Sequence, residues 1–388
     1  VRQKCLLLVL SLVLVGSLLA VACVRETTVT KTQVETRTVT EAAAEITVTE
    51  TVTAAPVTVT ETVKETVTVT ATAPPQPVIM RVTSDAPAAP HPKGAAMDWF
   101  KAELEKRIPG SEVRLYPAGS LYTDPDAVEA LALGTLEACW GQAGKISGFE
   151  PKASIFALPF LLTSKEAVLA LPDSELGRYI SDLMETKGIK TLGYGYVSTY
   201  LGMCSTYRIT TPDDLKGKKF RVFVKLTQEP MMEALGCSPT TLAWAEVPSA
   251  LGSGVVDGVC TSTGGWRKIK DLAPYYTTLG YGGFGTDLYP FWVSTKWWNT
   301  LTPETQAVIA QTAYEACLYE QELQDKDDQR MLDEYGTTDP TKPGIYVLSK
   351  EEAEAFRALW VPAVYDKLAA VVGKDLVAMA VAFAEQFK

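Results

Sequence analysis

The sequence predicts an α/β fold of two lobes, joined by crossing strands and braced by a long helix. Three observations carry that expectation. Strand-like and helix-like segments alternate from residue 78 to 140, the same rhythm restarts near residue 189, and one uninterrupted helical run occupies residues 302–335. In the first series, 78–82 reads as a strand, followed by a loop with Pro87, Pro90, His91 and Pro92. Ala96, Phe100, Leu104 and Ile108 then recur at fourfold spacing, the mark of an amphipathic helix. Residues 112–116 form the next strand, 125–133 a helix and 136–140 another strand. Ligands of such folds gather at the carboxyl ends of strands, so Trp140 and the following Gln142 are candidate contacts, and His91 a candidate mouth residue.

The second series runs through 189–196, 220–224, a helix over 229–235, then 246–251 and 255–261. Residues 197–204 are expected to cross between the lobes and 288–294 to return. Thr302-Pro303-Glu304 supplies an N-cap hydroxyl, a proline at the first helical position and a favourable acid. With Gly336 as the stop, that helix is about 50 Å long at 1.5 Å per residue, enough to brace both lobes. A helical tail, 350–387, is expected to pack outside. The expected first lobe is about 78–197 with part of 290–388, and the second about 205–288.

Upstream, Arg2 and Lys4 precede an almost unbroken apolar run from Leu6 to Ala22 that meets Cys23. Roughly 15 apolar residues fall short of the about 20 that span a bilayer, and the pattern is that of an export signal. Leu19-Ala20-Val21-Ala22-Cys23 resembles a bacterial lipobox, with Ala20 where leucine is preferred. Residues 1–23 are therefore read as a lipoprotein signal and Cys23 as the lipidation site, giving a membrane tether through lipid. An uncleaved anchor and a plain secretory signal are the alternatives, and all three place the remainder outside the cytoplasm. Residues 24–77 collapse to Thr, Val, Glu and Ala, without aromatics or glycine turns. A disordered stalk is expected there rather than strands, because so little apolar variety cannot pack a core. An adhesive or glycosylated structural stalk is the competing reading.

Lys and Arg number 36 against 46 Asp and Glu, a net charge of -10. That balance argues against nucleic acid and against an anionic membrane surface as partners. An anionic ligand is still allowed, since one arginine focused in a cleft outweighs diffuse, screened surface charge. Of 7 cysteines, Cys5 and Cys23 fall in the signal, leaving Cys139, Cys204, Cys237, Cys260 and Cys317. None has metal spacing with another or with the single histidine, so no metal or cofactor is expected. Buried thiols or a Cys237–Cys260 bridge remain open. Gly280-Tyr281-Gly282-Gly283-Phe284-Gly285 matches GxGxxG by letter, but a strand-like run follows it where a phosphate-binding helix is needed. No other catalytic motif is present, and no catalytic residue is expected.

Thr211-Pro212-Asp213-Asp214-Leu215-Lys216-Gly217-Lys218-Lys219-Phe220-Arg221-Val222 is a capped turn that stops at glycine and launches a strand carrying one arginine. It resembles the LKG-K-x-R-V signature of the solute receptors of tripartite ATP-independent periplasmic (TRAP) transporters. Five further segments resemble that family in register: Tyr116-Pro117-Ala118-Gly119-Ser120-Leu121, Leu158-Pro159-Phe160-Leu161, Leu235-Gly236-Cys237-Ser238-Pro239, Trp244-Ala245-Glu246-Val247 and Gly254-Val255-Val256-Asp257-Gly258. The resemblance implies a periplasmic-binding-protein-like receptor that closes around an organic acid and delivers it to a separate membrane permease. It also implies that Arg221 pairs with the acid's carboxylate. The chemistry agrees, because a guanidinium offers two parallel donors that match a carboxylate and stays charged when buried.

Two departures bear on the ligand. Many members carry a second arginine where this chain has Leu201, and an asparagine where it has Thr261. Hydroxyls and aromatics in their place favour a monocarboxylate with a fairly apolar or aromatic body. Candidate contacts are therefore Arg221, Trp140, Gln142, Trp244, Glu246, Thr261, Trp266 and His91, followed by Tyr289 and Trp292. Each aromatic has core packing as its plainer role, and Arg221 has a strand-fixing ion pair with Glu246. An ABC-type receptor for another small solute is the alternative function.

Overall fold

The computed structural model describes residues 45–54, 57–66 and 73–387. The expected signal and Cys23 lie outside the described residues. In the segment expected to be a disordered stalk, β1 (Glu45–Ala54) and β2 (Val57–Thr66) pair antiparallel, with Val48 opposite Val63 and Val52 opposite Val59. Thr and Val alternate with the two-residue period of a strand, both favour extended backbone, and each repeat supplies the other's partner.

Residues Pro74–Lys388 form the second compact unit. Its first part comprises β3 (Ile79–Thr83), α1 (Pro92–Arg107), β4 (Glu112–Tyr116), α2 (Asp124–Leu133), β5 (Ala138–Trp140), α3 (Lys165–Ala170), α4 (Glu175–Thr186) and β6 (Ile189–Tyr196). There follow β7 (Gly202–Ser205), β8 (Lys219–Val222), α5 (Lys225–Ala234), β9 (Ser238–Thr241), α6 (Val247–Gly252), β10 (Gly258–Thr261), α7 (Thr263–Ile269) and β11 (Tyr275–Thr278). The chain returns through β12 (Leu288–Ser294) and α8 (Thr295–Trp298) to α9 (Pro303–Tyr335), and ends with β13 (Gly336–Thr337), β14 (Gly344–Val347), α10 (Lys350–Val372) and α11 (Lys374–Glu385).

These strands build two sheets, a five-stranded one in the order β4-β3-β5-β12-β6 and a seven-stranded one in the order β13-β14-β11-β7-β10-β8-β9. In the first, β4, β3 and β5 are parallel and β12 enters antiparallel between β5 and β6. In the second, β10, β8 and β9 are parallel, while β7 runs antiparallel between β10 and β11. The crossing at 197–204 is not one strand: β6 ends at Tyr196 in the first sheet and β7 begins at Gly202 in the second.

The long helix runs as its caps dictate. The Thr302 side chain accepts from the Thr305 N–H, Pro303 occupies the first turn, and the Gly336 N–H closes onto the Leu332 carbonyl. Ile309, Ala313 and Ala316 bury with Phe100 of α1 and with Trp140 and Phe291 of the first sheet. Further along, Met331 buries with Trp266 of α7 and with Tyr276 and Ile345 of the second sheet. One helix therefore belongs to both cores. In α10, Phe356, Trp360, Val364, Leu368 and Val372 recur every fourth residue and are buried in the largest apolar cluster with Met231 and Met232 of α5. All five cysteines of this unit are buried and free, so no Cys237–Cys260 bridge forms.

Candidate functional site

Arg221 owes its position to the turn before it. Asp214 accepts from the Thr210 and Thr211 N–H groups, which fixes the entry to the turn. Gly217 then adopts φ +73°, a left-handed conformation in which a side chain is strained, and the chain enters β8. Arg221 is 4% exposed. Its Nε donates to the Leu242 carbonyl at 3.0 Å and its Nη1 to the Cys260 carbonyl at 3.1 Å. The guanidinium carbon lies 5.3 Å from the Phe223 ring centre and 5.7 Å from that of Trp244. Burial pulls its pKa down from 12.5 to about 10, which leaves it charged at neutral pH. Among the described residues it makes no ion pair, and Glu246 does not supply one. That carboxylate is exposed and accepts instead from the Ala243 N–H at 2.9 Å.

The charge on Arg221 acts on the Asp287 carboxyl, and Asp287 and Tyr289 act in turn on Arg221. The end of β8 and the approach to β12 thus share one electrostatic environment. Asp287 joins the two crossings by backbone, its N–H donating to Ser198 O and its carbonyl accepting from Val197 N–H. Burial lifts its carboxyl to about 6, held back by Lys145, by the Gln142 side chain, by Lys93 and by Arg221. Gln142 is itself fixed: its N–H donates to Asp124 Oδ2 at 2.9 Å and its Oε1 accepts from the Lys145 N–H. Lys145 Nζ lies 3.1 Å from Asp85 and 3.8 Å from Asp124.

On the first-sheet side, Trp140 ends β5, and its Nε1 donates to the Tyr289 carbonyl at 3.0 Å. Lys93, in the first turn of α1, sets its Nζ 4.0 Å from the Trp140 ring centre and 4.7 Å from that of Tyr289. It stands 3.6 Å from Glu320 Oε1 of α9, both side chains being fully buried. Burial acts against both ions, lowering Lys93 and raising Glu320 to about 7. His91 caps α1, its Nδ1 accepting from the Lys93 N–H. Its pKa falls to about 4 through burial and the charges of Lys268 and Lys93. Asp328 accepts from Ser198 Oγ, the Thr199 N–H and Thr263 Oγ1, joining α9, the crossing and the start of α7.

The structure thus brings together Arg221 and Trp244 on one side, and Trp140, Gln142 and Tyr289 on the other. Trp266 turns into the second-sheet core, its Nε1 donating to the Ala273 carbonyl at 2.7 Å and its ring packed on Tyr276 and Tyr335. Trp292 is likewise buried in the main apolar cluster. Thr261 ends β10 with its carbonyl accepting from Tyr276. Lys93, Asp287, Glu320 and Asp328 did not stand out from the sequence. The signal that could have found three polar side chains of this face is the fourfold spacing of Glu320, Gln324 and Asp328, all buried, on the helix face that carries Ile309, Ala313 and Ala316 earlier and Met331 later.

The profile of the family described as bacterial extracellular solute-binding protein, family 7, matches residues 83–370. The chain is 28% identical over 316 residues to the C4-dicarboxylate-binding periplasmic protein DctP of Rhodobacter capsulatus, covering 78% of this chain and 90% of that protein. Among solved structures, a TRAP periplasmic solute binding protein from Ralstonia eutropha with bound (S)-2-acetolactate superposes with TM-score 0.70 at 25% identity, covering 79% of this chain and 99% of that one. One from Sulfurospirillum deleyianum with bound succinate gives TM-score 0.69 at 26% identity over the same shares, 79% and 99%. The profile match spans most of the chain and includes the strand that carries Arg221, so this chain belongs to family 7 of the bacterial extracellular solute-binding proteins, the TRAP solute receptors.

Proposed function

We propose that this protein captures an organic acid through its carboxylate at Arg221 and passes it to a membrane permease, with no bond chemistry of its own. One observation carries the reading: a buried guanidinium, still charged, whose only hydrogen bonds among the described residues go to two carbonyl oxygens. A buried cation without a carboxylate partner is costly to keep, and an incoming acid supplies the missing charge. The ligands bound by the Ralstonia and Sulfurospirillum proteins, acetolactate and succinate, are both carboxylates, which supports the class. The rings of Trp140, Tyr289 and Trp244 support a ligand body with apolar surface, as the sequence suggested. The charged groups set among them support one that bears hydrogen-bonding groups as well.

The mechanism is closure. Arg221 lies on the second sheet with Trp244 in the turn after β9, and Trp140 on the first with Gln142 just beyond it, so an acid seated on one side gains contacts from the other only when the sides meet. The closed form gains population by that difference in affinity. In this reading Cys23 carries the lipid tether and the segment up to residue 77 spaces the receptor from its membrane.

Titration calorimetry with a panel of mono-, di- and hydroxy-carboxylates tests the proposal. At least one acid is expected to bind, and Arg221→Ala to weaken it by roughly 2–5 kcal/mol. An acid bound with the same dissociation constant by wild type and variant would refute the assignment.

A further inference from the structure

Among the buried polar atoms without a hydrogen-bond partner in the described residues are three charged ones at the seam, Lys93 Nζ, Glu320 Oε1 and Asp287 Oδ1, and beside them on α9 the amide oxygens of Gln321 and Gln324. Buried polar atoms are nearly always paired, and an exception asks for a reason. These three come from α1, from α9 and from the approach to β12, and their charges act on one another. Their other bonding options are already taken. Glu320 Oε2 accepts from the Tyr196 N–H at 2.7 Å. Lys93 has aromatic faces at 4.0 and 4.7 Å, which attract a cation but accept no ordinary hydrogen bond. Gly195 makes room for the pair itself, since a Cβ there would stand 2.2 Å from Glu320 Oε2 and 3.2 Å from Lys93 Nζ.

The 3.6 Å between Lys93 Nζ and Glu320 Oε1 is long for a direct hydrogen bond. It is a suitable base for a triangle whose apex is an oxygen about 2.8 Å from each. A hydroxyl fits that apex, because it accepts from the ammonium and donates to the carboxylate at once. A second carboxylate there meets the repulsion of Glu320 and Asp287, and a methyl group leaves both atoms unmet. Asp287, which acts on Lys93 and on Arg221 alike, places this pair in the same electrostatic neighbourhood as the carboxylate anchor.

Resting on the reading that Arg221 holds the carboxylate, we propose that the ligand also carries a hydroxyl bridging Lys93 and Glu320. These residues, with Asp287 beside them, then select hydroxylated carboxylic acids over their deoxy counterparts. A site built to pair a hydroxyl discriminates strongly, because the analogue lacking it leaves buried groups unpaired.

The test is calorimetric titration of the full chain with three matched pairs of probes: L-lactate and propanoate, L-malate and succinate, D-gluconate and hexanoate. In at least one pair the hydroxylated acid is expected to bind at least about 100-fold more tightly. Lys93→Met, which keeps the contact with both rings, and Glu320→Gln, which keeps the acceptor for Tyr196, are each expected to cut that ratio below about tenfold. Arg221→Ala is expected to weaken both members of the pair alike. If the deoxy acids bind as well as the hydroxylated ones, or if the ratio survives both substitutions, the hydroxyl bridge is overturned and the role of Arg221 stands. If Arg221→Ala leaves affinity unchanged, the carboxylate reading falls instead, and binding of none of the six acids overturns both. Should a variant lose its cooperative melt, the wild-type ratio decides.

Discussion

Replacing Arg221 by methionine separates a residue kept for a ligand from one kept for the fold. Burial draws the arginine's pKa from 12.5 to about 10, so holding the charge inside costs about 3 kcal/mol at 1.36 kcal/mol per pKa unit. Against this stand two hydrogen bonds, to Leu242 O and Cys260 O, each contributing about 1.5 kcal/mol as bonds from a charged donor. The opposing terms nearly cancel. Methionine also preserves contact with Phe223 and Trp244, since a thioether packs well on aromatic rings. The variant without ligand should therefore melt within about 4 °C of wild type, at about 2 °C per kcal/mol for a unit of this size. Binding should behave otherwise, losing about 2–5 kcal/mol, or a factor of about 30 to 5,000 in dissociation constant. Differential scanning calorimetry and isothermal titration on the same preparations read both quantities. A melting temperature lowered by more than about 10 °C together with unchanged affinity would show Arg221 to be a strut between β9 and β10, and the reasoning would fail.

Trp266→Leu should do the reverse, costing about 2–4 kcal/mol of stability through lost core volume, while leaving acid affinity within about twofold, because its ring meets Tyr276 and Tyr335; melts and titrations on one preparation check this. Gly195→Ala should weaken binding and lower stability by about 1–3 kcal/mol, since the new methyl displaces Glu320 from the Tyr196 N–H; calorimetry of the free and liganded variant reads both effects. Stability should also depend on pH in a definite direction. Burial raises Asp124, Glu320 and Asp328 to about 7 and Asp287 to about 6, so the folded chain holds more protons than the unfolded one from about pH 4 up to those values. Stability then falls as pH rises through that window and levels off above it. His91, lowered to about 4, acts in the opposite sense below 6.5 and offsets only part of this. Melting temperatures should decline from pH 5 to pH 8, and Glu320→Gln should flatten the decline, its rise from 4.5 to about 7 corresponding to about 3 kcal/mol. A profile with the same slope in the variant would contradict the assignment.

The place of Arg221 on its strand was legible because what sets the backbone there is local, although its guanidinium is held by the distant carbonyls of Leu242 and Cys260. A capping acid, a glycine at positive φ and a short strand lie within eleven residues, and each has a sequence signature. The long helix was legible for the same reason, since Thr302, Pro303 and Gly336 mark its ends regardless of what it packs against. Helices α3 and α4 were not read, and neither were the strands β9, β11, β13 and β14. The four strands are four residues or fewer, too short for a periodic pattern to emerge, and their pairing is decided by distant segments. In residues 24–77 two signals coincide, an alternation with the strand period and a composition too uniform to pack a core.

The aromatic candidates divide on a distinction that sequence does not contain. Trp140 and Trp266 are both buried, both follow strand-like runs, and both donate their indole N–H to a carbonyl. They differ in what else meets the ring: Trp266 packs on Tyr276 and Tyr335, whereas Trp140 packs on Phe291 and also has the ammonium of Lys93 over it. Lys93 in turn reads from sequence as an ordinary first-turn lysine, a position where solvated charges are common. Only the fold brings it against Glu320, more than two hundred residues away. What turns a core tryptophan into a candidate ligand wall is thus a pair of opposite charges that neither neighbouring sequence announces. The one hint was the run of Glu320, Gln324 and Asp328 on the buried face of α9. Below it on that face lie Ile309, Ala313 and Ala316, and above it Met331. Between these two apolar stretches α9 buries four polar side chains, Glu320, Gln321, Gln324 and Asp328, of which Glu320 and Asp328 hold the crossing through Tyr196, Ser198 and Thr199, and it is at this break that the seam between the sheets falls.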